Sequence, residues 1–243
     1  MATMRGWVLR EEEDGDRNVV ELANVEVPSA EAGQVIVRLE AAALNHRDEW
    51  MRMKLYPAIV YDSVLGADGA GVVHAVGAGV DRSLLGTRVI IDSACEWGDS
   101  ERAPTYSFSI LGCLPRPGTL TEYIAVPASQ VFPAPAHLSV EQAAALPLAG
   151  LTAFRATIVK GQVAPGQRVL ITGIGGGVAL FCLQFALAAG ADVYVTSGSD
   201  EKIARAMQLG AKGGVNYKKR APRVPFLLSA DAFQRVCSRR SLR

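Results

Sequence analysis

The chain has 243 residues, with 25 lysines and arginines against 24 aspartates and glutamates, a net charge of +1 and 49% hydrophobic residues. So balanced a charge argues against nucleic acid or an acidic membrane surface as partner, and the hydrophobic share excludes wholesale disorder. No apolar run reaches the roughly 20 residues of a membrane span, and the opening MATMRGWVLREEEDGD lacks the apolar core of a signal peptide, so a cytoplasmic location is expected. The length admits one large domain or two ordinary ones. Cys95, Cys113, Cys182 and Cys237 are scattered without a CxxC pair, which suits reduced thiols better than a disulfide framework.

Taken in chain order, the first half reads as short strands: Met4 to Leu9, Val19 to Val27, Val35 to Ala43, Val64 to Val76, Arg88 to Asp92 and Thr119 to Val126. Val35, Val37, Leu39 and Ala41 are apolar, while Arg38 and Glu40 fall on the other face, the alternation of a half-buried antiparallel strand. Gly33, Gly69, Gly71, Gly77 and Gly79 mark sharp bends, as in a small, strongly curved barrel. Ser139 and Gln142 form a capping box at a helix start. Pro147 is predicted to end that helix, with the next running from Ala149 to Lys160. Gly161, Pro165 and Gly166 make the turn that follows.

The stretch from Gln167 to Ser199 reads strand, glycine-rich turn, helix, strand. Arg168 to Thr172 is a buried parallel strand by its β-branched content. Gly173, Gly175, Gly176 and Gly177 follow, where the missing Cβ lets the backbone turn tightly and approach a phosphate. Val178, Phe181, Cys182, Phe185 and Ala189 recur at helical spacing and are predicted to face the sheet. The helix N-terminus then directs free N–H groups at an anion, so the unit reads as a dinucleotide site. Glu201 to Leu209 continues as a helix and Gly214 to Asn216 as a third strand.

From Arg220 onward the text loses its period and carries six arginines against one acid. A doubly wound fold needs about six strands in the order 3-2-1-4-5-6. Three are present, so the Arg168 to Thr172 strand is expected at an open edge and the fold is read as truncated. A basic tail that docks elsewhere is the alternative.

Several collinear segments resemble the medium-chain dehydrogenase/reductase superfamily, in its quinone oxidoreductase-like branch. They are AAALNHRDEWMRMKLYP, VLGADGAGVVHAVGAGV, LPRPGTLTEYIAVP, LSVEQAAALPLAGLTAFRA, the glycine loop and LGAKGGVNYK. The resemblance implies α/β plus β: a GroES-like β-barrel domain (1–127), interdomain helices (128–160), an incomplete Rossmann domain with a doubly wound parallel sheet (161–218), and an atypical tail (219–243). It also implies a nicotinamide held in the cleft between the domains and a small-molecule substrate. Complete relatives are expected to be homodimers, with the usual interface segment beyond this chain.

Zinc-dependent members take ligands at places occupied here by Asn45 and Ala67, and neither side chain suits a tetrahedral zinc site. His46 reads as a pocket-wall residue and His137 as a surface turn. The expected chemistry is therefore zinc-free hydride transfer to a quinone or other conjugated carbonyl. The protein orients the substrate and donates hydrogen bonds to the developing oxyanion. Asn45 is the first catalytic candidate, with Asp48 and Tyr56 behind it and Tyr61 as a further cleft residue.

For the cofactor, Ser197 stands where an NAD-selecting domain carries an acid. Lys202 and Tyr217 match positions that contact a 2′-phosphate in NADP-preferring relatives, so NADPH is expected over NADH. Asp200 and Glu201 are assigned to the first turn of a helix. The glycine pattern is read as Ile174-x-Gly176-x-x-Ala179, with phosphate contacts from Gly176, Gly177 and Val178 beside Gly175, and with Thr152 as a further cofactor contact. A catalytically inactive, truncated cofactor-binding remnant is the second reading, and a zinc-dependent alcohol dehydrogenase the third.

Overall fold

The computed structural model describes residues 2–57, 59–113 and 116–219. The arginine-rich stretch from Arg220 onward lies outside them. The chain divides into two compact units, one running to Arg155 and one beginning at Ala156.

The first unit contains β1 (Thr3–Arg10), β2 (Val19–Glu26), β3 (Gln34–Ala43), α1 (His46–Arg52), β4 (Ser63–Val64), β5 (Asp68–Val76), β6 (Arg88–Ile91), β7 (Ala94–Cys95), β8 (Ser109–Ile110), β9 (Tyr123–Pro127) and β10 (Val131–Pro133). Two helices follow, α2 (Val140–Ala144) and α3 (Pro147–Phe154). The strands form a five-stranded sheet, β10-β6-β5-β3-β9, a three-stranded sheet, β2-β1-β4, and the pair β7-β8. A bridge between Gly6 and Thr121 joins the region of β1 to the segment before β9. Val35 and Val37 of β3 are fully buried with Val73, Val89, Ile91, Ile124 and Val126, while Arg38 and Glu40 face out, as the alternation predicts.

Two predicted strands are shorter than expected. The stretch Val64 to Val76 is broken at Leu65–Ala67, because Gly66 takes a left-handed φ of +95° that no ladder accommodates. Thr119 to Val126 becomes a strand only at Tyr123. Before that, the N–H groups of Thr119 and Leu120 bond the carbonyls of Gly66 and Leu65 across the break.

The capping box on α2 is present: Ser139 Oγ accepts from Gln142 N–H at 3.2 Å and Gln142 Oε1 accepts from Ser139 N–H at 3.0 Å. Pro147 behaves differently from the prediction. The first helix ends at Ala144, and Pro147 opens α3, where its missing N–H costs nothing and its φ is already helical. A π-helical turn, Arg155–Lys160, continues α3. Ala143 and Ala144 bury themselves against Ala70, so the α2 cap is coupled to the core. Ser139→Ala is expected to lower stability by about 1 kcal/mol, measured by denaturant unfolding; an unchanged midpoint would show that the cap is not felt.

The second unit is one parallel sheet in the order β11-β12-β13, with β11 (Arg168–Ile171), β12 (Asp192–Ser197) and β13 (Gly213–Asn216) joined through α4 (Gly177–Ala188) and α5 (Asp200–Gln208). Among the described residues β11 pairs with β12 alone, so it lies at the sheet edge, as expected. Ile171, Leu183, Val193, Val195 and Ile203 form the core. The buried side of α4 differs from the prediction. Leu183 and Ala186 are buried, with Ala179, Cys182 and Leu187 against the same core. Of the predicted face only Cys182 belongs to that set, and Val178 is 40% exposed. This helix is apolar on nearly every side, so period alone does not choose a face; small Ala179 and Ala186 let the helix approach the strands closely.

No helix among the described residues is long and apolar enough to cross a membrane.

Candidate functional site

In the second unit, β11 runs into a turn in which Gly173 (φ +70°) and Gly175 (φ +111°) hold left-handed conformations. Ile174 anchors the turn: its side chain is buried and its N–H donates to Thr196 O at 2.8 Å. Gly176 caps α4, and the bond from Leu180 N–H to Gly176 O at 3.0 Å closes the first helical turn. The N–H groups of Gly177, Val178 and Ala179 consequently have no acceptor within the helix. Together with the helix dipole they form an anion-binding end. Gly176 N–H reaches Gly173 O at 3.4 Å, so of the three predicted phosphate donors Gly177 and Val178 are the better placed.

Ser197 ends β12, is buried, and its hydroxyl accepts from Ser199 N–H at 3.2 Å. Ser199 caps α5 by accepting from Lys202 N–H at 3.4 Å. The Lys202 stem then lies across the glycine turn: a Cβ on Gly175 would sit 2.6 Å from Lys202 Cδ. Tyr217 follows β13, and its hydroxyl would be 3.0 Å from a Cβ on Gly198. The structure thus gathers Gly175, Ser197, Lys202 and Tyr217 at one end of the sheet. Asp200 and Glu201 occupy the first turn of α5, as predicted. Lys219 and Asn216 hold the Asp200 carboxyl below its ordinary pKa, with Asn216 Nδ2 donating at 2.7 Å and Lys219 paired to the other oxygen.

In the first unit, Asn45 precedes α1 and meets two acids, Asp48 and Asp68. Its backbone N–H donates to Asp48 Oδ2 at 2.8 Å, and its side-chain Nδ2 donates to Asp68 Oδ2 at 2.8 Å. Asp68 is 1% exposed, and its other carboxylate oxygen accepts from Leu148 N–H at 2.7 Å. Burial pushes the Asp68 carboxyl up to about 6, against the lowering pull of those two hydrogen bonds. Burial likewise raises Asp48, opposed by the Asn45 N–H and by the Arg47 charge.

Sequence reasoning passed over Asp68 and Arg47. Arg47 is buried and donates to Leu111 O at 2.5 Å, Gly112 O at 3.0 Å and Cys113 Sγ at 2.6 Å. Its guanidinium stands 5.6 Å from the Tyr56 ring centroid, which places Tyr56 in the same cluster. Burial raises the Tyr56 hydroxyl. Tyr56 and Tyr61 both pack against Leu9, Met51 and Leu65. One signal for Asp68 was available: it is a carboxylate set in the otherwise apolar VLGADGAGVV.

Thr152 is exposed on α3, one helical turn beyond the Leu148 N–H that holds Asp68. His46 lies at the start of α1, its ring 6.1 Å from that of Trp50. A cavity of about 540 Å³ in this unit, lined by Glu26, Pro28, Gln34, Leu111, Arg116 and Gln130 among others, includes none of the predicted site residues. Among the described residues no group of three or more His, Cys, Asp or Glu is arranged to hold a metal ion.

A glycine turn between a parallel strand and a helix N-terminus, carried by a chain whose other unit is antiparallel, is the arrangement of a dinucleotide-binding fold class. Family models agree: the alcohol dehydrogenase GroES-like domain matches residues 31–136 and the zinc-binding dehydrogenase domain residues 177–227. The zinc-type alcohol dehydrogenase-like protein YogA of Leptosphaeria maculans is 43% identical over 82% of this chain and 58% of its own length. A quinone oxidoreductase of Salmonella typhimurium is 33% identical over 82% of this chain and 55% of its own. A solved NAD-dependent alcohol dehydrogenase superposes with a TM-score of 0.82 at 39% identity, covering 97% of this chain and 68% of that one. The chain belongs to the medium-chain dehydrogenase/reductase superfamily, a family of oxidoreductases, and it spans 58% and 55% of the length of the two curated relatives.

Proposed function

We propose that the protein is an NADPH-dependent, zinc-free oxidoreductase that passes hydride to a quinone or other conjugated carbonyl. The carrying observation is the arrangement at the end of β12. Lys202 lies across Gly175, Tyr217 follows the neighbouring strand, and Ser197 ends β12; of the two acids in the first turn of α5, Asp200 is engaged by Asn216 and Lys219. Hydroxyls and a cation suit a phosphate dianion, whereas a free carboxylate would repel it. The NAD-dependence named for one solved neighbour weighs on the other side.

The zinc-free reading is supported by the donors around Asn45. Asn45 offers only an amide oxygen where a thiolate is wanted, both Asp68 oxygens take hydrogen bonds, and Ala67 has no ligand atom. The nearby Cys113 thiol lies against Arg47 and is pushed up by burial, which disfavours the thiolate a metal needs. These residues do not fit a tetrahedral N/S zinc site. When bound, NADPH supplies a hydride, which a quinone takes up with one proton to give the hydroquinone. Asn45 has a second Nδ2–H beyond the one given to Asp68, and in this reading it donates to the substrate oxygen or holds the cofactor ribose. Asp48 closes the turn that presents Asn45, and Tyr56 is a wall of the same cluster.

Titration of the protein with NADPH and NADH tests the cofactor, and NADPH oxidation with a panel of quinones tests the reaction. Lys202→Ala is expected to weaken NADPH binding about tenfold and leave NADH unchanged, the loss of one charge-assisted contact. Tighter binding of NADH than NADPH by the unaltered protein would overturn the cofactor assignment.

A further inference from the structure

We propose that Lys218 is a second cationic contact for the cofactor's 2′-phosphate, and that the absence of a side chain at Gly198 is what lets it reach that phosphate. This rests on the NADPH reading above. Gly198 follows the buried Ser197 at the end of β12. A Cβ built on Gly198 would stand 2.7 Å from Lys218 Cε, 3.1 Å from Lys218 Cδ and 3.0 Å from the Tyr217 hydroxyl. The methylene stem of Lys218 therefore crosses the turn directly over Gly198, alongside the Tyr217 hydroxyl.

The backbone fixes that course. Tyr217 N–H donates to Ser197 O at 3.0 Å and Lys218 N–H donates to Asn216 Oδ1 at 3.0 Å, while Asn216 is itself held by Asp200. The next residue, Lys219, is paired with Asp200, and among the described residues Lys218 forms no ion pair. Beyond the neighbouring strand β11, the Lys202 stem crosses Gly175 in the same manner. Two lysine stems thus overlie two glycines, Gly198 between Ser197 and Ser199, and Gly175 in the glycine turn. A phosphate monoester carries about −1.5 to −2 charges and three acceptor oxygens, more than one ammonium neutralises. All of these residues belong to one unit, so the site is complete within it.

The test is calorimetric binding of adenosine 2′,5′-bisphosphate and of ADP to the full chain. The unaltered protein is expected to prefer the 2′-phosphorylated nucleotide. Lys218→Ala should weaken that nucleotide about tenfold, as expected for one charge-assisted hydrogen bond, and leave ADP unchanged. Gly198→Ala meets only the flexible ends of two side chains, so the fold should accept it, with a smaller loss in the same direction. Combined with Lys218→Ala it should add nothing, because both changes remove one contact. If the unaltered protein prefers the bisphosphate and Lys218→Ala does not weaken it, the role of Lys218 is overturned and the NADPH reading stands. If the unaltered protein shows no preference for the bisphosphate, the NADPH reading falls and this inference with it.

Discussion

Replacing Asn45 with alanine is expected to lower turnover about 100-fold, the usual loss when a hydrogen-bond donor to a developing oxyanion is removed. Quinone reduction by this protein, or by a full-length relative with asparagine at this place, provides the measurement. The fold should survive, since the backbone N–H of residue 45 that donates to Asp48 remains in the variant. A second consequence separates a site residue from a packing residue. The Asn45 amide is one of the two hydrogen bonds that restrain the Asp68 carboxyl, so its loss moves the Asp68 titration upward, and any acid limb in the rate profile moves with it. Unchanged kinetics would remove Asn45 from the site.

Asp68→Asn carries the second large effect, on stability. Burial raises Asp68 to about 6 in the fold, against roughly 3.9 in an unfolded chain. A carboxyl raised on folding binds its proton more tightly in the native state. Its stabilising contribution is therefore full below about pH 4 and is lost as pH rises through about 6. Two pKa units correspond to about 2.7 kcal/mol. The stability of the unaltered protein, measured relative to Asp68→Asn, should thus fall by about 2–3 kcal/mol between pH 4 and pH 7.5. Trp7, Trp50 and Trp97 all lie in the first unit, so tryptophan fluorescence during urea unfolding follows the part that contains Asp68. A difference that stays flat with pH would show that Asp68 keeps an ordinary pKa.

Much of the frame was legible from local patterns. The β3 alternation, the Ser139–Gln142 capping box, the glycine turn between strand and helix, and the acids in the first turn of α5 all stand where the residues indicated. Each depends on groups within a few positions of one another, over which period and capping chemistry act directly. Pro147 was misplaced because proline both stops and starts helices, and only the path of the chain decides which. The α4 face was misread because apolar residues surround that helix and the sheet selects among them.

The candidate site divides the same way. Asn45, Asp48, Ser197 and Lys202 were visible because each sits in a short motif. Asp68 and Arg47 gained meaning only through partners far along the chain. Asn45 reaches Asp68 across 23 positions, Arg47 reaches Leu111 across 64, and Leu148 reaches Asp68 across 80. The first of these follows from the β3–β5 register, which sets Ala43 opposite Asp68. The sequence by itself determined the two-part organisation, the dinucleotide-type turn and the family. Tertiary structure alone decided which buried carboxylate holds the Asn45 amide and which lysine stems overlie the glycines of the turn. Such contacts follow from strand register and chain crossing, which no run of neighbouring residues encodes.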